Sequence, residues 1–132
     1  MISRSIRIWR YVWASPYTLL GLSCVLVPWS GARSIIRYRG TIGIVGPAIE
    51  RALRRAPIPG GAAALTLGHS ILATSSETFF ATWEHENIHV KQYERWGLLF
   101  VPAYLVSGLW QRMRGKDPYW DNPFEREARE QS

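Results

Sequence analysis

Tyr11 to Trp29 is a run of 19 residues without a charge, which as a helix measures about 28 Å against a hydrocarbon thickness of about 30 Å. Pro16 is suited to start a helix there and Pro28 to end one, which would shorten the continuous apolar helix. The run therefore reads as a single membrane span, or as an interfacial or buried helix. Further on, TIGIVGP (41–47) has the β-branched content of a short strand, and AIERALRR predicts a short helix with Ile49 and Leu53 on one side. APIPGG then breaks the chain. AAALTLGHSILATS reads as another strand, with Leu65, Leu67, His69 and Ile71 at period two on one face.

The next block changes period. Ser75 and Ser76 are natural N-caps, Glu77 complements the positive end of a helix dipole, and neither proline nor glycine intervenes until Gly97, a natural C-cap. LLFVPAYLVSGLW, beyond it, is about 20 Å as a helix, too short to span a bilayer, and predicts a core helix or a membrane-dipping one. QRMRGKDPYWD has the glycine, proline and aspartate of a loop, and Asn122-Pro123 opens a final short helix. The pattern predicts an α+β fold, mostly helical, with a short β-sheet or hairpin beside the 75–96 helix and an apolar helix at the N-terminus. Residues 1–34 form a basic, apolar membrane-anchoring or interfacial segment, and residues 35–132 one small domain.

Charge sharpens this division. Up to Ile58 there are nine arginines and a single acid, Glu50, whereas the remainder holds seven basic and nine acidic residues. Clustered arginine attracts nucleic acid and anionic lipid alike. Here the arginines flank an apolar run, which lipid attachment requires and nucleic-acid binding does not, so membrane lipid is the expected partner and nucleic acid is not. Tryptophan and tyrosine near basic residues also suit a membrane interface, and the chain has seven tryptophans. No A-x-A site follows the apolar run, so retention is expected rather than cleavage. Nothing in the sequence sets orientation or oligomeric state. Cys24 is the sole cysteine, which excludes an internal disulfide and a cysteine-rich zinc knuckle; any metal must use His, Asp or Glu.

His85-Glu86-Asn87-Ile88-His89 supplies such ligands. Residues four apart share one helix face, so His85 and His89 can aim at one point, while Glu86, about 100° round the helix, can take a proton from a metal-bound water without being a ligand. Two histidines do not complete a catalytic zinc site, which takes three protein ligands plus water. No third histidine follows in HVKQYERWG, which excludes the H-E-x-x-H-x-x-G-x-x-H pattern. NPFEREARE on the last helix supplies Glu125, Glu127 and Glu130. Asn122-Pro123-Phe124-Glu125 equally fits a helix start in which Glu125 serves only at position N3.

With these two motifs the chain resembles the gluzincin metallopeptidases, most of all the membrane-associated heat-shock and CAAX-processing zinc proteases and the smallest gluzincin-like domains. Their second motif has the form E-x-x-A-D. Glu125-Arg126-Glu127-Ala128-Arg129 matches the glutamate and the alanine, and departs where Arg129 replaces an aspartate that would orient a histidine ligand. The resemblance implies a minimal zincin-like core in residues 35–132 and hydrolysis of a peptide or protein substrate. It implies Zn²⁺ on His85, His89 and Glu125, with Glu127 as the alternative ligand and Glu86 as the catalytic base. Gln92, at i+3 from His89, is a candidate to orient a ligand. Tyr104, Tyr119 and His69 are candidate donors to an oxyanion, His69 having an ordinary structural role as its alternative. A second reading is a non-catalytic membrane protein stabilised by the same metal.

Overall fold

The computed structural model describes residues 4–26, 34–56 and 61–132. Helix α1 (Arg4–Leu26) precedes strands β1 (Ser34–Tyr38) and β2 (Thr41–Val45), helix α2 (Pro47–Arg54), and strands β3 (Ala64–Leu67) and β4 (Ser70–Ala73). The long helix α3 (Ser76–Trp96), a 3₁₀ turn (Gly97–Leu99), α4 (Phe100–Met113) and α5 (Pro123–Gln131) follow. The fold is α+β, with one four-stranded sheet in the order β1-β2-β4-β3. The β1–β2 and β3–β4 pairs are antiparallel and β2 lies parallel to β4. Period-two alternation divides the core between the two sheet faces. Val45 and Ile71 pack with Phe79 and Trp83 of α3. Their neighbours Ile44 and Leu72 face the other way, onto Ile49 and Leu53 of α2.

The expected single strand through Leu65, Leu67, His69 and Ile71 is instead the β3–β4 hairpin. Gly68 adopts φ 61°, which a two-residue turn requires and glycine permits. The turn resets the side-chain alternation, pairing Leu65 with Leu72 and Thr66 with Ile71, so Leu65 and Ile71 do not share a face. Strand β1 was not among the expected elements; it is an edge strand with mostly exposed residues.

Helix α1 also departs from expectation. It takes in Arg4, Arg7 and Arg10, and Pro16 sits inside it rather than at its start. Pro16 has no N–H for the Val12 carbonyl one turn back; the Ser15 hydroxyl donates to that carbonyl instead, at 2.7 Å. Pro28 and the end of the uncharged run lie outside the described residues, as does most of the APIPGG break. Among the described residues no helix is long and apolar enough to cross a membrane. Ala14 is fully buried against Tyr93 and Phe100. Thr18 Oγ1 accepts the His69 N–H at 2.9 Å, which ties α1 to the β3–β4 turn.

The cap signals of α3 hold. Ser75 accepts the Thr78 N–H at 3.0 Å, and Gly97 ends the helix with φ 57°. A Cβ on Gly97 would stand 1.8 Å from ring atoms of Trp13 on α1. Gly97→Ala therefore combines left-handed backbone strain with a steric clash, and it is expected to lower unfolding stability by about 3 kcal/mol. Denaturant titration would read this as a lower midpoint; an unchanged midpoint would mean that α1 does not seat against this turn.

Candidate metal centre

Helix α3 places His85 and His89 one turn apart, and α5 brings Glu125 across to them. Glu125 Oε2 lies 3.1 Å from His85 Nε2 and 3.2 Å from His89 Nε2. One ligand atom from each of these residues falls within a 4.8 Å group, so the three could hold a metal ion. Ligands about 2.0–2.1 Å from a tetrahedral centre stand about 3.3 Å apart, close to the two separations found. His89 and Glu125 are buried and His85 is partly exposed, leaving one open side.

The neighbouring contacts orient these donors. His89 Nδ1 lies 2.8 Å from Gln92 Oε1; an amide oxygen can only accept, so Nδ1 carries the proton there. Gln92 is itself fully buried, and its amide N–H₂ donates to the Phe124 carbonyl and to Glu127 Oε1, both at 3.0 Å. One side chain thus links both helices of the site. The Tyr104 hydroxyl, from α4, donates to Glu125 Oε1 at 2.8 Å, so one carboxylate oxygen is held while the other faces the histidines. Asn122 N-caps α5 by accepting the Phe124 N–H and donates to the Tyr104 carbonyl, both at 3.0 Å. The helix-start reading of Asn122-Pro123 and convergence of Glu125 on the histidines are therefore both realised.

Burial disfavours the Glu125 carboxylate, but hydrogen bonds from His85 and His89 prevail and hold its pKa down at about 2. Burial likewise opposes charge on His89, yet the hydrogen bond and charge of Glu125 lift its pKa to about 9. At pH 7 the metal-free protein therefore keeps a proton on His89 that a metal ion must displace. Metal uptake is expected to release that proton, and apparent affinity to rise by about tenfold per pH unit from neutrality up to about pH 9. Calorimetric titration in buffers of different ionisation enthalpy measures the proton directly; uptake with no proton released would show His89 is not a ligand.

Glu86 stands apart from the ligand atoms and beside them. It is buried, its carboxyl feels the charges of His89, His85 and Glu125, and burial raises its pKa above the ordinary carboxyl value. Thr66 of β3 donates its hydroxyl to Glu86 Oε2 at 2.5 Å. In turn the Tyr93 hydroxyl donates to the Thr66 carbonyl at 3.0 Å. Thr66 did not emerge from sequence; its signal was a polar residue inside an otherwise apolar strand, ALTL.

The remaining candidates divide. Tyr119 is half-buried, and burial with the Glu125 and Glu86 charges pushes its phenol up to about 12, so it remains a donor at neutral pH. Glu127 is placed outside the three-atom group, accepting from Gln92 and paired with Arg95 at 3.6 Å. His69 is not brought to the cluster. Its Nε2 pairs with Glu94 at 2.9 Å and its ring stacks on Tyr11 with centroids 4.0 Å apart. Arg129 turns to the Trp120 carbonyl and ring, so the orienting contact to His89 comes from Gln92 on the same helix. Comparisons with protein-family models, curated proteins and solved structures gave no match.

Proposed function

We propose that this chain is a membrane-attached zinc metallopeptidase of gluzincin type, hydrolysing a peptide or protein substrate. The carrying observation is the buried Glu86 carboxyl held beside, and outside, the His85, His89 and Glu125 group. Two imidazoles and one carboxylate, with no thiolate, form a donor set that suits zinc, and the partly exposed His85 side leaves room for a fourth position. Zinc bound there would lower the pKa of its water toward neutrality and polarise the scissile carbonyl.

The chain's own residues supply the rest. Glu86, its pKa raised by burial, accepts the proton of the attacking water and delivers it to the leaving amine. Thr66 fixes that carboxyl, Gln92 fixes His89, and Tyr104 fixes Glu125. Tyr119 is the donor for the developing oxyanion. Strand β3 is an edge strand against α3, where an extended substrate can add as a further strand.

The test is a peptide library presented in lipid or detergent to the zinc-loaded chain. Hydrolysis should appear, vanish on chelation and return with zinc. If no peptide is cut while chelation unfolds the protein, the metal serves folding and the peptidase reading fails.

A further inference from the structure

Helix α1 carries apolar side chains on the side turned away from the protein, where a water-facing helix is polar. Its protein-facing side carries Ala14, Thr18 and Gly21, against which Tyr93, His69 and Ser70 pack, with Trp13, Tyr17 and Leu22 partly buried beside them. Its outward side carries Ile8, Trp9, Val12 and Leu19, each more than half exposed. Helix α4 repeats the arrangement. Phe100, Gly108 and Gln111 are buried, whereas Leu105, Val106, Leu109, Trp110 and Met113 are 57–73% exposed. A surface helix in water keeps its apolar stripe inward, so two adjoining helices with outward stripes mark a covered surface. They adjoin at the 3₁₀ turn. The Tyr17 hydroxyl donates to the Leu98 carbonyl at 3.0 Å, Trp13 lies against Gly97, and Leu98 and Leu99 are themselves exposed between the two helices.

The rim of this surface identifies what covers it. Arg4 and Arg7 stand at the start of α1, and Arg112, Arg114 and Lys116 at the end of α4; all are exposed. Asp117 beside them is occupied by the backbone N–H groups of Tyr119 and Trp120. Both ends being basic, a two-fold pairing of this face with a second copy would set basic rim on basic rim. Anionic headgroups instead neutralise both ends while the apolar side chains enter the acyl boundary, with Trp9 and Trp110 at interfacial depth.

We infer that α1 and α4 together form one docking face that lies flat in the surface of an anionic lipid bilayer, neither helix crossing it. This goes beyond attachment through the N-terminal segment alone and does not depend on the metal. It also sets the metal centre directly behind the lipid-facing helix, since Tyr104, which holds Glu125, precedes the outward Leu105 and Val106.

The test uses the purified full chain and vesicles of phosphatidylcholine with and without phosphatidylglycerol. The chain should float with the anionic vesicles and less with the neutral ones, raised salt weakening the difference. Trp9→Ser with Val12→Ser, and separately Leu105→Ser with Leu109→Ser, should each lower partitioning by about tenfold or more. All four positions are exposed, so circular dichroism should be unchanged. Full binding by the α4 pair would overturn the two-helix face. So would absence of vesicle binding by a chain that runs as a dimer and is split by these variants. Spin labels at Val12→Cys and Val106→Cys, in a Cys24→Ser background, give a second readout. Equal shallow depths support the inference; a deep residue 12 with residue 106 in water would mean that α1 spans, and would overturn it.

Discussion

Replacing Glu86 by glutamine is expected to leave one zinc per chain bound and to lower peptide hydrolysis by a factor of about 10² or more. The two effects separate because Glu86 contributes no atom to the three-ligand group, yet its carboxyl lies among those charges. Glutamine keeps the size and can still accept from the Thr66 hydroxyl, so the buried contact at 2.5 Å has a replacement. It cannot take a proton from water. Metal content by mass spectrometry and turnover of one identified peptide are the paired measurements. Undiminished hydrolysis by this variant would dismiss Glu86 as the base. If neither protein hydrolyses anything and both unfold when stripped of metal, the non-catalytic account becomes the better one.

Glu125→Ala should fail differently, with the metal lost as well as the activity. Glu125 is the one member of the three-residue group contributed by α5, and its two oxygens join His85, His89 and Tyr104. Its removal leaves two histidines, too few for a closed site, and a Tyr104 hydroxyl without its acceptor. A calibrating variant is Gln92→Leu, which keeps all three ligands but releases His89 Nδ1 and should weaken metal binding by about 10–100-fold. Glu125→Ala must exceed that loss, read by competition against a chelator of known affinity. A Glu125→Ala protein that retains full zinc would move the third ligand elsewhere.

Much of this site was local in character and therefore legible. The caps at Ser75 and Gly97, the unbroken helix between them and the shared face of His85 and His89 follow from backbone geometry over a turn or two. Asn122-Pro123 announced α5 for the same reason. The choice among the acids on α5 rested on the motif resemblance, which favoured Glu125 and kept Glu127 as the alternative; spacing alone did not make it. Glu125 meets His89 across 36 residues, and only packing turned Glu125 inward, Glu127 toward Gln92 and Glu130 to solvent. Gln92 was legible as a residue to orient a ligand, because i+3 spacing sets it beside His89; that its amide nitrogen also reaches Phe124 and Glu127 on α5 was not.

Turns and helix interiors marked the other limit. The single strand expected through His69 failed because one glycine at positive φ reversed the chain and the alternation with it. Pro16 failed as a helix start because the neighbouring Ser15 hydroxyl occupies the carbonyl that proline leaves without a donor. By itself the sequence determined where α3 and α5 run and that His85 and His89 share a face, since those depend on contacts within a few residues. Tertiary structure alone decided how Glu125 is carried to the histidines, what holds Glu86, and which sides of α1 and α4 face outward. Those depend on how distant surfaces fit, and residue spacing along one chain does not encode the fit.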